Sequence, residues 1–186
     1  NSYGFRQERS PADAIAQCFL CLRQKTSPTA VYEGDIRGCF DNIRHEWLLE
    51  NIPMDQRMLR QWLKAGYIDQ NVLYPTEAGT PQGGIVSPVL ANLTLDGLEA
   101  TIANQPHRGS KRQAKLHLIR FADDYVITGN SPKLLEEDIA PGVEEFLDVR
   151  GLEVSPEKTR ITDLEEGFDF LPRRRGPPQA PAAGCA

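Results

Sequence analysis

The spacing of apolar residues along the chain changes from helical to β-type and back again. Ser10 and Pro11 open a helical pattern that is predicted to run to about Lys25. From residue 30 onward come a short apolar run, several helical patterns, a hairpin, a further helix and a last short run. This order predicts a β-α-β-β-α-β layout, an α+β fold in which an antiparallel sheet carries helices on one face.

The helical patterns have identifiable start and stop signals. A residue with an oxygen-bearing side chain is predicted to cap each of them, alone or in front of a proline: Asp41, Ser87 with Pro88, and Ser131 with Pro132. The helix from Ser87 should continue past Gly97, whereas Pro141-Gly142 should kink or break the last helix.

The clearest β-type pattern is the hairpin of residues 117–129, whose apolar arms meet at a bend that carries Asp123 and Asp124. No proline interrupts the run, so both arms can pair within a sheet. Two carboxylates at a bend are often only a solvated turn, because Asp favours turns for local reasons. The alternative is a site for a hard divalent cation such as Mg²⁺, which prefers carboxylate oxygens. That alternative requires another carboxylate from elsewhere in the chain.

Asp35 is the candidate for that further carboxylate. It lies at the end of the apolar run of residues 30–36, just before Gly38 permits a sharp bend into a helix. A side chain at such a strand end faces the crevice in which sheets bind their ligands. Asp35 could instead be an ordinary polar residue that ends a strand. Lys158, in the turn-and-strand segment 152–163, is a cation that could reach the same crevice.

Two other segments carry weaker signals. Gly79, Gly83 and Gly84 form a flexible loop before a helix, which resembles a phosphate-binding loop but lacks the G-x-x-x-x-G-K motif. The polar and basic residues 104–115 are either a solvated loop or a contact to a nucleic-acid backbone.

Composition sets broad limits on the class of protein. The chain has 186 residues, 40% hydrophobic and 25% charged, which is ordinary for a soluble globular chain of about one domain. The net charge of -5 argues against a nucleic-acid partner, but the basic residues are clustered, so the total does not decide the matter. No apolar run approaches a membrane span and no secretory signal opens the chain, so we expect no membrane partner and a cytoplasmic location. The first residue is Asn1 rather than Met, which indicates a piece of a longer protein.

Several blocks follow one another in a recognisable order: EGDIRGCFDNIRHEWLL, GTPQGGIVSPVLANLTLDGLE, RFADDYVITG, the EKT of SPEKTRIT, and GFDFL. Together they resemble the blocks of bacterial reverse transcriptases, and most closely those of group II intron reverse transcriptase/maturase proteins. SYGFRQERSPADAI resembles the finger block that precedes the palm in that group. The likeness covers residues 2–171.

The resemblance implies a right-hand RNA-directed DNA polymerase. Residues 1–30 would be part of the fingers, residues 31–171 the palm, and residues 66–88 the junction of fingers and palm. The implied reaction is two-metal transfer of dNTPs to a primer 3′-OH. The implied partners are an RNA template, a DNA primer and group II intron RNA.

The resemblance also assigns roles to individual residues. Asp35, Asp123 and Asp124 would hold two Mg²⁺ ions, with Asp123 as the main ligand beside Asp35, because neighbouring residues on a strand face opposite sides. Phe40 falls at the aromatic steric gate that excludes a ribose 2′-OH, and Lys158 at the position proposed to protonate departing pyrophosphate. The other residues implied to contact nucleotide or template are Arg6, Arg9, Ile36, Gln82 and Gly83.

The end of the chain departs from the family pattern. Phe170-Leu171 is followed by a tail of Arg, Pro and Ala, residues 172–186, which is predicted to be disordered or non-native. No primer grip, thumb or maturase region follows, so we expect the isolated chain to extend primers weakly or not at all. The competing hypothesis is a catalytically inactive RNA-binding remnant of an intron maturase, in which residues 108–115 would matter more than the aspartates. A nucleotide cyclase would share the layout but would not explain the PQG block.

Overall fold

The computed structural model describes residues 2–23, 27–69, 72–74, 78–80, 84–106, 114–171 and 173–175. Its helices include α1 (Pro11–Leu22), α2 (Cys39–Asn42), α3 (His45–Asn51), α4 (Gln56–Leu63), α5 (Ser87–Thr94), α6 (Leu98–Asn104), α7 (Pro132–Leu134) and α8 (Ala140–Asp148), with a π-helical turn, Leu135–Ile139, between the last two. Its strands are β1 (Ala30–Gly34), β2 (Tyr67–Asp69), β3 (Val72–Tyr74), β4 (His117–Phe121), β5 (Asp124–Gly129), β6 (Arg160–Asp163), β7 (Phe168–Phe170) and β8 (Arg173–Arg175).

The central sheet has the strand order β4-β5-β1-β6, and every neighbouring pair is antiparallel. Helices separate β1 from the β4–β5 hairpin and that hairpin from β6. The predicted β-α-β-β-α-β layout is therefore confirmed. Because β1 lies between β5 and β6, its carboxyl end meets the hairpin bend in the middle of the sheet.

The two faces of the sheet carry separate apolar cores, because side chains alternate along each strand. The larger core packs α3 to α6 and α8 against inward residues of the strands, among them Ala30, Tyr32, Leu118 and Ile127. The opposite face, with Val31, Ile119 and Val126, is covered by α1 and by β7. The helices of the predicted palm do lie on one face, and helix α1 supplies a layer on the other that the pattern did not predict.

Helix α1 begins where the sequence predicted. The Ser10 hydroxyl accepts from the Asp13 amide at 3.4 Å, and the Asp13 carboxylate accepts from the Ser10 amide at 2.8 Å, a reciprocal capping box. The helix ends at Leu22 rather than near Lys25, and residues 24–26 lie outside the described ranges.

Three details of the predicted helices are wrong. Asp41 lies inside the short helix α2, and Arg44 rather than Asp41 precedes α3. The helix from Ser87 does not continue, because Gly97 adopts a left-handed φ of 96° and separates α5 from α6. Pro141-Gly142 does not break its helix, since α8 runs through it and the irregular hydrogen bonding lies one turn earlier, in the π-helical turn.

The tail was predicted to be disordered or non-native, and three of its residues have regular structure. Arg173–Arg175 form β8, which pairs antiparallel with β7. The other tail residues, 172 and 176–186, lie outside the described residues. Among the helices that are described, none combines the length and the apolar character needed to cross a membrane.

Candidate active site

Strand register brings the predicted carboxylates together. Gly34 on β1 is paired with Tyr125 on β5, so the next residues, Asp35 and Asp124, face each other across the two strands. A Cβ atom at Gly34 would lie 2.1 Å from the Tyr125 ring, so only glycine permits this close approach. The close approach of Asp35 to the hairpin bend therefore depends on Gly34, which precedes Asp35, and on Tyr125, which follows Asp124.

The hairpin bend consists of two residues. Phe121 pairs with Asp124, which leaves Ala122 and Asp123 as the loop, and Ala122 adopts a left-handed φ of 57°. A positive φ at the first loop position suits the right-handed twist of a two-residue hairpin, although alanine is an unusual residue for it. Asp123 thus lies in the turn itself, whereas Asp124 is the first residue of β5.

The three carboxylates share a partly buried environment. Burial raises the pKa of Asp124 to about 6, and the negative charges of Asp123 and Asp35 add to this effect. The pKa of Asp123 is also raised, first by burial and then by Asp35, against the opposing charges of Lys158 and Arg120. The carboxylates are therefore close enough to repel one another, and a bound cation would relieve that repulsion.

Lys158 is the nearest countercharge to this cluster. Its Nζ lies 3.1 Å from Asp35 Oδ2, and the hydrogen bond and charge of Asp35 raise the pKa of Lys158. The segment that carries Lys158 is attached to the backbone of Asp35: the Ser155 amide donates to the Asp35 carbonyl at 2.8 Å, and Thr159 Oγ1 accepts from the Asp35 amide at 3.5 Å. The sequence had suggested only that Lys158 could reach this crevice.

The donor set suits a hard cation, but the described residues do not form a finished ligand shell. Within the described ranges, no group of three His, Cys, Asp or Glu side chains has the spacing that would already hold a metal ion. The Asp35 carboxylate instead forms an ion pair with the ammonium group of Lys158.

An open cavity of about 350 Å³ lies beside the carboxylates. Asp35, Asp124 and Lys158 line one side of it. Glu33 and Arg160 also line the cavity, and they form a separate ion pair with each other. The cavity is therefore polar, and part of its wall is a structural network.

The backbone of the hairpin bend is held by a buried arginine that the sequence analysis missed. Arg120 is 2% exposed, and its Nη1 donates to the Ala122 carbonyl at 2.9 Å and to Asn92 Oδ1 at 3.2 Å. Its Nη2 lies 3.9 Å from Asp96 Oδ1. The signal in the sequence was a charged residue within an otherwise apolar β-strand, directly before the acidic bend.

The same network fixes the N-terminal segment. Asn92 Nδ2 donates to the Gly4 carbonyl at 2.9 Å, and a Cβ atom at Gly4 would lie 2.2 Å from the Ala122 nitrogen. Arg6 Nη2 pairs with Asp96 Oδ1 at 3.3 Å, while the guanidinium of Arg9 lies 5.6 Å from the centre of the Tyr3 ring. The structure therefore brings Arg6 near the site and directs Arg9 towards Tyr3.

The predicted substrate residues differ in how the structure presents them. Phe40 is half-buried in α2, and its carbonyl accepts from the Thr80 amide at 2.6 Å. Ile36 is 1% exposed and belongs to the larger core, so only its backbone can face the cleft. Gln82 and Gly83 lie outside the described residues, as do Arg108, Lys111 and Arg112 of the basic segment.

Comparison with known proteins identifies the class to which this fold and site belong. The family model described as "Reverse transcriptase (RNA-dependent DNA polymerase)" matches residues 1–172, so the chain belongs to the reverse transcriptase family. Proteins of this family generally use divalent metals. A structure of apo telomerase from Candida tropicalis shares the fold, with a TM-score of 0.64 and 14% identity over 95% of this chain and 40% of that chain.

Sequence relatives narrow the class to the intron-encoded type. The group II intron-encoded protein LtrA of Lactococcus lactis subsp. cremoris is 41% identical, over 94% of this chain and 40% of LtrA. An uncharacterized 91 kDa protein in the cob intron of Schizosaccharomyces pombe is 30% identical, over 87% of this chain and 26% of that protein. The predicted likeness to group II intron reverse transcriptases is confirmed. The chain spans between about a quarter and a half of the length of such relatives.

Proposed function

We propose that this chain provides the palm and part of the fingers of an RNA-directed DNA polymerase of group II intron type. In this proposal, residues 1–30 belong to the fingers, residues 31–171 to the palm, and residues 66–88 to their junction. The observation that carries the proposal is the meeting of Asp35 with the Asp123–Asp124 bend at one end of the central strands β1 and β5, within a chain of the reverse transcriptase family.

The three carboxylates are proposed to hold two Mg²⁺ ions, with Asp35 and Asp123 as the principal ligands and Asp124 beside them. Their oxygens are hard donors, and their mutual repulsion supports a role in binding cations. When bound, the two ions would supply activation of the primer 3′-hydroxyl and neutralisation of the charge that develops on the triphosphate.

Lys158 is proposed to donate a proton to the departing pyrophosphate. Its side chain is 68% exposed towards the cleft, and its raised pKa keeps the amine protonated at neutral pH, as a proton donor requires. Its contact with Asp35 holds the ammonium group beside the carboxylates while the cleft is empty of nucleotide.

The substrate contacts extend from both sides of the carboxylate cluster. We propose that Phe40 excludes a ribose 2′-hydroxyl and that Arg6 binds triphosphate or template. Burial, and then the charges of Asp123 and Asp35, raise the pKa of Cys39, the residue before Phe40. Arg6 shares Asp96 with the buried Arg120. The remaining proposed contacts are Arg9, the backbone of Ile36, Gln82 and Gly83.

The proposed partners are an RNA template, a DNA primer, dNTPs and group II intron RNA. Support comes from LtrA, a relative that is itself named a group II intron-encoded protein. For this chain, binding of nucleic acid would use local basic groups, because its net charge is -5.

Addition of a single dNTP to a DNA primer on an RNA template, with Mg²⁺ and protein in excess, tests the proposal without requiring processive synthesis. We expect addition by the wild-type chain and its loss in Asp123→Ala, with Asp148→Ala on the exposed face of α8 as the matched control. No Asp123-dependent addition, together with retained binding of intron RNA, would favour the RNA-binding remnant instead.

A further inference from the structure

An aromatic residue of the N-terminal segment contacts the proposed sugar gate. The ring centroids of Phe5 and Phe40 are 5.9 Å apart and their planes meet at 80°, an edge-to-face pair. Phe5 is nevertheless 54% exposed, so burial in a core does not explain its position. The contact joins the finger segment to the first helix of the palm.

The backbone on both sides of Phe5 is fixed to the palm. Before it, the Tyr3 amide donates to the Arg120 carbonyl at 2.8 Å, and the Gly4 carbonyl accepts from Asn92. After it, Arg6 pairs with Asp96 on the link between α5 and α6. Because these anchors flank Phe5 directly, its backbone cannot move away from Phe40 without breaking them.

The conformation of Phe5 is also an unusual one for a bulky residue. Its φ is 54°, in the left-handed region that side chains with a Cβ rarely occupy. Residues in this region persist where the surrounding structure over-determines them, and they cluster at functional sites. The flanking anchors supply that constraint here, and the result is a ring aimed at Phe40.

The backbone of Phe40 is held from the opposite side. Thr80 donates to the Phe40 carbonyl through its amide at 2.6 Å and through its hydroxyl at 3.3 Å. A Cβ atom at Gly79 would lie 2.3 Å from the same carbonyl oxygen, so the two segments are in direct backbone contact. Because the backbone of Phe40 is fixed in this way, only its side chain can still move. The ring of Phe5 contacts that side chain.

We propose that Phe5 is a positioning residue that limits the ring of Phe40 to one orientation and thereby sets the discrimination between deoxyribonucleotides and ribonucleotides. This inference rests on the proposed role of Phe40 as the sugar gate. Phe5 itself need not contact the nucleotide, because a gate excludes a 2′-hydroxyl only as well as its ring is held in place.

The direct test compares Phe5→Ala, Phe5→Tyr and Phe19→Ala in single-nucleotide addition with a dNTP or the matching rNTP. We expect Phe5→Ala to lower the dNTP-to-rNTP ratio of kcat/KM by about 3- to 10-fold, the value of one aromatic pair. Phe5→Tyr keeps the ring and should keep the ratio. Phe19, which is 56% exposed on α1, is the matched control, and its replacement should change nothing.

Phe40→Ala, alone and combined with Phe5→Ala, separates this inference from the proposed function. An unchanged ratio in Phe40→Ala would overturn the gate itself. Loss of discrimination in Phe40→Ala but not in Phe5→Ala would overturn the role of Phe5. In the double variant, Phe5→Ala should have no further effect, because its target is gone.

A second measurement needs no catalysis. Proton NMR of the folded chain with labelled phenylalanines should give cross-relaxation between the rings of Phe5 and Phe40. The Phe40 ring resonances should shift in Phe5→Ala and stay in place in Phe19→Ala. Absence of ring-to-ring cross-relaxation in the folded wild-type chain would overturn the proposal.

Discussion

Two acidic residues at the carboxyl end of β1 have opposite surroundings. Glu33 lies in β1 and Asp35 directly follows it, and both side chains line the same cavity. Glu33 is 6% exposed and its oxygens are fully used. They accept from Arg160 Nε at 2.9 Å, Arg160 Nη2 at 3.1 Å, Thr162 Oγ1 at 3.0 Å and the Asp169 amide at 2.9 Å.

Asp35 has the opposite surroundings. The Asp35 carboxylate accepts from the exposed ammonium of Lys158, and its other neighbours include the carboxylates of Asp123 and Asp124. A buried carboxylate whose oxygens all accept hydrogen bonds stabilises the fold. Carboxylates that crowd one another destabilise the fold unless a bound cation neutralises their charge. The comparison indicates that Glu33 joins β1 to β6 and β7, while Asp35 lies in a crowded acidic cluster, as its proposed role in binding a cation requires.

The contrast between Glu33 and Asp35 is tested most directly by neutralising Asp35. We expect Asp35→Asn to reduce single-nucleotide addition by at least about 1,000-fold, because a metal ligand is lost at the charge that develops during transfer. Its free energy of unfolding should stay equal or rise, since one of three crowded charges is removed. Activity close to wild type would refute the assignment of Asp35, with Asp148→Asn as the control for simple loss of charge.

Removal of the Glu33 side chain should have the reverse effect, with lower stability and retained activity. In Glu33→Ala, the free energy of unfolding measured with urea should fall by about 2 kcal/mol, because the Asp169 amide and Thr162 hydroxyl lose their acceptor while the exposed Arg160 returns to water. Addition per folded molecule should persist. Glu137→Ala, in an exposed pair with Lys133, is the control and should cost less than about 0.5 kcal/mol. Normal stability with lost activity would instead make Glu33 part of the site.

The pH dependence of stability sharpens the same contrast. The carboxyl of Asp124 has a pKa of about 6 in the folded protein, against an ordinary value of 3.8, so it binds a proton more readily when the chain is folded. The free energy of unfolding therefore falls as the pH rises from 3.8 to about 6. Above this range the destabilisation by the ionised carboxylate is complete. Asp124→Asn should stabilise the metal-free chain by about 1–2 kcal/mol at pH 7.5, after allowance for solvent screening, and by almost nothing at pH 3.5. A benefit that is equal at both pH values would contradict the repulsion.

The smallest expected effect is at Lys158. In Lys158→Gln, Mg²⁺ should bind the nucleic-acid-free chain about 2- to 5-fold more tightly by titration calorimetry, because a competing cation beside Asp35 is gone. The melting temperature should not change, since Lys158 is largely exposed. Lys133→Gln, at a comparably exposed lysine outside the site, should leave Mg²⁺ binding unaltered. Weaker binding in Lys158→Gln would show that the lysine supports the ion site.

Local pattern was sufficient for the strands of the central sheet, the hairpin bend and the capped helix α1, because each depends on residues a few positions apart. It did not predict the short strands β2, β3, β7 and β8. The break at Gly97 was missed, since a single glycine within a helical pattern is often tolerated and the pattern does not show that this one adopts a left-handed φ of 96°. Arg120 was missed for a similar reason. Its strand is apolar with one charge, and two of the partners of that charge, Asn92 and Asp96, lie in a different part of the sequence.

By itself, the order of apolar runs and acidic motifs determined the family, the sheet layout and the identity of the three carboxylates, since all of these are written in short segments. Only the tertiary structure decided which acid is satisfied and which is crowded, because Glu33 and Asp35 have the same local setting and differ in partners more than 120 positions along the chain. It likewise decided that Phe5 meets Phe40, through backbone anchors that no local pattern contains.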